Sequence, residues 1–328
     1  MTRRPYLAVA GAVAALAAIG FSAPPGALLP ALLFWVAVGQ GAVALAAAGD
    51  LTRARWIAPL RGALLAVHPL LLVFPFAFLV FARGLSVYAW AQQPSGWLSP
   101  GFFVARNAAL LLAVWFLALL YARSVAGDTP RRSFLAGLYA LVFVFSQTII
   151  AFDWVMSLEY PWVSTLFGGY FFVEALYAGV AVAALTAARQ TRRGRGGDRA
   201  ALLDAATLLF GFSLLWAGQF FAQYLVIWYG NLPHEVDFLL RRLGEAPLRR
   251  MATLVLAGLF FIPFVLLLSR SAKASPAVVA AMALVVLAGI LAERLLFLIP
   301  VLALPAPAAA LAFLALGAAF AGVWRGSA

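Results

Sequence analysis

Apolar residues along this chain come in long unbroken runs, separated by short stretches that are basic, polar or proline-containing. A helix needs about 20 apolar residues to cross the hydrocarbon core of a bilayer. On that measure the pattern predicts ten helices, over roughly 6–21, 28–48, 63–82, 102–122, 134–152, 166–188, 203–229, 251–269, 277–299 and 305–324. Pro5, Pro100, Pro276 and Pro305 stand just before or within first turns, where a missing N–H removes no helical hydrogen bond. The expected fold is therefore an all-α polytopic membrane bundle. The first run also has features of a signal peptide, with Arg3 and Arg4 ahead of it and Ser22-Ala23 behind. Cleavage after Ala23 would leave nine spans, but Phe21 then fills the minus-three position, where a small residue is wanted.

Composition supports this pattern. Of 328 residues, 66% are hydrophobic and 10% are charged, more apolar surface than a soluble domain of this length could bury. The formal charge of +12 would point to nucleic acid in a soluble chain, but here the basic residues sit between the apolar runs and set orientation instead. With the N-terminus in the cytoplasm, sixteen of the 23 basic residues face that side, six face the other, and Arg294 lies within a helix. Both termini are then expected in the cytoplasm. The basic segment 189–202 divides the chain into six helices (1–188) and four (203–328) and reads as a flexible loop that fixes topology, a lipid-headgroup or partner site being the alternative. The 230–250 loop, on the outer side, is the candidate for docking a partner subunit, the alternative being a solvated loop with a short interfacial helix.

The chain has no cysteine, which excludes disulfides, thiolate metal sites, iron–sulfur ligation and c-type haem attachment. His68 and His234 are the only histidines, and His234 follows Pro233 in a loop, which argues against a bis-histidine haem. No phosphate-binding glycine loop, nucleotide motif or hydrolase triad is present.

Charged groups within a bilayer are costly and persist where they have a partner or a task. The predicted helices place several charged and polar groups at similar outer depth: Arg106, Gln147, Asp153, Gln219, Gln223, Glu293 and Arg294. Tyr170, Glu174 and Tyr177 share one helix face by their spacing, with Glu174 some 12 Å in from the outer end at about 1.5 Å per residue. Glu174 has no opposite charge within a turn of its own helix, and a buried carboxyl without a counter-charge suits taking up and releasing protons. Glu293 pairing with Arg294 or Arg106, and Asp153 and Glu159 as interfacial anions, are the plain structural alternatives. On the inner side, His68 before Pro69 and Asp204 at the start of the seventh helix are candidates for an inner mouth of the same path, the alternatives being a packed imidazole and a helix-dipole partner.

Three local patterns carry a resemblance. They are Phe102-Phe103-x-x-Arg106 followed by Trp115; Phe152-Asp153-Trp154-x-Met156-Ser157-Leu158 with Trp162-x-Ser164-Thr165-x-Phe167-Gly168-x-Tyr170-Phe171; and Phe221-x-Gln223-Tyr224-Leu225-x-Ile227-Trp228-Tyr229-Gly230-Asn231-x-Pro233. Over about helices three to eight the chain resembles the NrfD-like membrane subunits of alternative complex III, specifically the ActF type. The resemblance implies a membrane subunit of a quinol-oxidising complex in a bacterial inner membrane, in which quinol oxidation is assigned rather to the sister subunit and this one supplies a proton-transfer path or a structural half of the membrane module. Its expected partners are a sister NrfD-like subunit, iron–sulfur and c-haem subunits, and in some forms a terminal oxidase. Such subunits hold no metal cofactor of their own, haem and iron–sulfur centres belonging to the partners, and a quinone is the one small molecule the resemblance admits. Carried over residue by residue, it singles out Asp153, Glu174 and Gln223, with His68 after them. The chain departs from the family at Gly96-Trp97-Leu98-Ser99-Pro100 and at His234, where other residues are usual, and it is short for the family. A secondary transporter with a midplane site and a purely structural anchor are the competing functions. Against the transporter, no pair of broken helices stands at matching positions, although Pro75 and Pro263 interrupt two spans.

Overall fold

The computed structural model describes residues 4–24, 26–194 and 198–325. Its long helices are α1 (Arg4–Ser22), α2 (Leu29–Leu51), α3 (His68–Val87), α4 (Pro100–Ala126), α5 (Arg132–Glu159), α6 (Leu166–Arg192), α7 (Asp198–Gly230), α8 (Pro233–Leu243), α9 (Ala246–Leu267), α10 (Pro276–Leu298) and α11 (Ala306–Arg325). Among the described residues nine of these are long and apolar enough to cross a membrane, and α1, apolar from Leu7 to Ser22, is shorter. The chain is an all-α integral membrane protein. Successive spans run antiparallel, and the end carrying α8 is called upper below.

Two helices organise the bundle. α2 and α6 are buried along most of their length and pack against each other. A helix that is apolar all round belongs in an interior. Small residues let the two approach closely: a Cβ on Gly41 would overlap the Ala175 carbonyl, and one on Gly179 would overlap that of Gly41. α5, α7 and α10 also pack on α6, while α1 and α11 pair with each other at the side of α2. Trp35 of α2 donates to the Phe313 carbonyl of α11 at 3.0 Å. α6 therefore presents different faces to α5 and α10, which decides how its polar residues are partnered.

Proline shapes two places. Pro69 has no N–H to offer the Leu65 carbonyl one turn earlier, and His68 Nδ1 takes that carbonyl at 2.9 Å. Pro263 releases the Leu259 carbonyl in the same way, within a widened π turn over Ala257–Phe261, and the Tyr177 hydroxyl donates to it at 3.1 Å.

A buried knot closes the lower end. Asp50, at the end of α2, accepts from Tyr121 Oη at 2.6 Å and Arg132 Nε at 2.6 Å, and pairs with Arg61 at 2.8 Å. The knot ties α2, α4 and α5 to the short helix Ala58–Leu65. Helical structure at the 189–202 segment runs to Arg192 and resumes at Asp198, so the connection is shorter than the composition suggests; residues 195–197 lie outside the described ones. The 230–250 stretch is likewise mostly helical, and α8 packs against the upper ends of α5 and α10 through Arg242.

Candidate functional site

Most of the polar residues expected to share one outer pocket fall into three separate groups. The first lies between α4 and α5. A π turn over Ala151–Val155 turns Asp153 inward, where its carboxylate accepts from Arg106 Nε at 2.7 Å and Nη2 at 2.8 Å, Asn107 Nδ2 at 2.6 Å and Trp97 Nε1 at 3.0 Å. Asn107 Oδ1 in turn accepts from Trp154 Nε1 at 2.8 Å. The Arg106 guanidinium sits over the Trp97 ring at 4.2 Å. Asp153 is 0% exposed, a fully satisfied buried ion pair and not an interfacial anion. The second group is an amide pair, Gln147 Nε2 donating to Gln40 Oε1 at 2.9 Å between α5 and α2.

The third group lies where α6 meets α7 and α10. Glu174 and Arg294 are both 0% exposed, and Arg294 Nη2 stands 2.6 Å from Glu174 Oε2. Their atoms are not aligned as a hydrogen bond, and Arg294 Nε and Nη1 find no protein acceptor. The guanidinium lies instead on the Phe171 ring, 3.7 Å from its centroid. Beside them Glu293, 3% exposed, accepts from the Tyr170 hydroxyl and from Trp216 Nε1 at 3.3 Å, its carboxyl being a near neighbour of that of Glu174. Two carboxyls and one guanidinium thus share a water-poor interior. Of the two partners expected for Glu293, Arg294 is taken by Glu174 and Arg106 by Asp153.

Glu293 and Tyr170 also line a cavity of about 300 Å³. Its walls are rings and aliphatic chains, Phe167, Phe220, Phe238, Phe297 and Leu296 among them, and Gln223 adds an amide whose Oε1 accepts from Ser164 Oγ at 2.6 Å. Tyr224 and Leu243, 39% and 38% exposed, carry the wall to the surface on the side of α7 and α8. Arg242 of α8 roofs the cavity. It is 4% exposed, pairs with Glu159, donates to the Phe238 and Phe297 carbonyls at 2.8 and 3.1 Å, and stacks on the Phe238 ring at 3.7 Å. Burial pulls the proton affinity of this guanidinium below its usual range, and Glu159 opposes that pull. Glu159 is thus half of a buried roof pair and not an interfacial anion.

The remaining expected residues lie apart. Tyr177 is turned to the Leu259 carbonyl, Gln219 is beside Gly169 and its Oε1 has no protein partner, and Asp204 is exposed near the lower end of α7. His68 stays with Leu65, so the geometry brings His68 and Asp204 to no common partner. Sequence reasoning missed Asn107, Trp216, Arg242, Gln40 and Asp50. Only Asn107 and Asp50 had a visible signal, an amide next to an arginine in an apolar run and an acid at the mouth of a basic loop.

No protein-family model matches this chain, and no curated protein matches it.

Proposed function

We propose that this chain is an integral membrane subunit of a quinol-oxidising respiratory complex of the alternative complex III kind, in which the Glu174–Glu293–Arg294 group handles protons. One observation carries the reading: Glu293 belongs to a buried carboxyl pair and is at the same time part of the wall of an aromatic cavity. With both carboxyls ionised, the group has one negative charge in excess of Arg294 in a setting where uncompensated charge is costly. A single proton shared by the two carboxyls restores neutrality, so the pair is built to hold one proton and to exchange it through Glu293. The cavity takes the flat ring of a quinone or quinol between its aromatic walls, with a ring oxygen directed at Glu293 and the lipophilic tail leaving past Tyr224. Electrons pass to iron–sulfur and c-haem centres in partner subunits, and the sister membrane subunit completes the membrane module. The amphipathic α8 is the surface for an outer partner. The membrane is a bacterial inner membrane, with both termini in the cytoplasm.

Copurification tests the reading. The gently solubilised protein should emerge with haem-containing partners and a cytochrome spectrum. Glu293→Gln should lower quinol turnover or its coupled proton movement at least tenfold, because removing the carboxyl removes the exchangeable proton. A lone protein that moves a solute supports a transporter instead, and unchanged turnover and proton movement in Glu174→Gln and Glu293→Gln supports a mere anchor.

A further inference from the structure

A second cavity lies at the opposite end of the molecule. The last turns of α6, the first turns of α10 and the end of α11 enclose a groove of about 420 Å³. Its rim is cationic, formed by Arg189, Arg192 and Arg193, with Arg192 and Arg193 exposed and the Arg189 guanidinium 5.2 Å from the Trp324 ring centroid. Its floor is apolar, made of Leu185, Ala188, Ala280 and Leu284, and Leu284 is 58% exposed. No acidic residue lines it among the described residues.

The two halves are ordered by depth. Leu185 lies seven residues before Arg192 on α6, so it is about 10 Å further from the helix end at about 1.5 Å per residue. Ala280 and Leu284 stand one and two turns into α10 from Pro276. Guanidinium groups thus stand at the end of the spans, where headgroups lie, and the small and aliphatic side chains stand where hydrocarbon begins. A tryptophan at the rim is the residue expected at that boundary. Inorganic anions have no use for the floor, and an uncharged lipid has none for the rim. A molecule with an anionic head and a long apolar chain uses both.

We propose that this groove binds an anionic glycerophospholipid, its phosphate held by Arg192 and Arg193 and one acyl chain lying along Ala280 and Leu284. This assignment is independent of the quinol reading and stands or falls separately. The full chain, in detergent, is titrated with labelled phosphatidylglycerol and with phosphatidylcholine carrying the same acyl chains. Phosphatidylglycerol should bind in preference, and Arg192→Gln with Arg193→Gln should weaken it about tenfold or more. Arg249→Gln with Arg250→Gln, two exposed arginines near the upper end, should leave it unchanged. Ala280→Phe keeps every charge and fills the floor, so it should weaken phosphatidylglycerol without altering the binding of inorganic phosphate. Equal binding of the two lipids, or an Ala280→Phe protein that binds phosphatidylglycerol as the parent does, overturns the assignment.

Discussion

At the scale of single residues, Glu174 and Glu293 differ in what they touch, and this separates their expected roles. Glu174 faces Arg294 and has no exposed surface, whereas Glu293 also looks into the aromatic cavity. Glu174→Gln leaves Arg294 balanced by Glu293 alone and should retain a folded protein with reduced proton exchange. Arg294→Met strands two carboxyls without a counter-charge, and removing one partner of a buried pair costs about 3–5 kcal/mol. A thermal unfolding curve in detergent should show Arg294→Met as the less stable of the two, and the reverse order would contradict the shared charge balance. Tyr170→Phe removes one donor to Glu293 and should alter turnover more than stability, as read by comparing the quinol rate with the melting temperature.

The element scale turns on α6. Gly41 and Gly179 let α2 and α6 meet backbone to backbone, and that contact fixes which face of α6 points toward α10. Gly179→Leu forces the two helices apart, and overpacking of this kind costs about 1–3 kcal/mol. It should lower the melting temperature and also impair activity, since moving α6 displaces Tyr170 and Glu174 relative to Glu293 and Arg294 on α10. α8 acts as a roof held by the buried Arg242–Glu159 pair. Arg242→Ala leaves Glu159 without its partner and opens the cavity, so quinone-analogue affinity should fall in a binding titration while the lower end is unaffected. The prolines show the same logic locally: Pro69 and Pro263 each free a carbonyl, and a side chain from nearby, His68 or Tyr177, takes it.

For the whole molecule, the two ends are closed by different devices. Aromatic stacking and the Arg242–Glu159 pair hold the upper end, and the Asp50 knot holds the lower. Asp50→Asn removes the carboxylate of that knot while the partly exposed Arg61 and Arg132 remain, and should lower stability by about 1–2 kcal/mol. Proteolysis from the lower side should then cut the 52–62 and 127–131 connections faster than in the parent, with upper sites unchanged.

Much of this was legible in the runs of apolar residues. Spans, all-α class and membrane residence follow from bilayer thickness and backbone satisfaction, which any sequence must obey locally. The candidate charges were legible as well, because a buried charge is rare enough to stand out. Their partners were not. Arg106 joins Asp153, and Glu174 joins Arg294, across separations of 47 and 120 positions. Spacing along one helix assigns a face but not the neighbour it meets, and that neighbour is chosen by the close approach of α2 to α6. One expected outer pocket therefore became three groups, and the group on the α10 side of α6 adjoins the aromatic cavity.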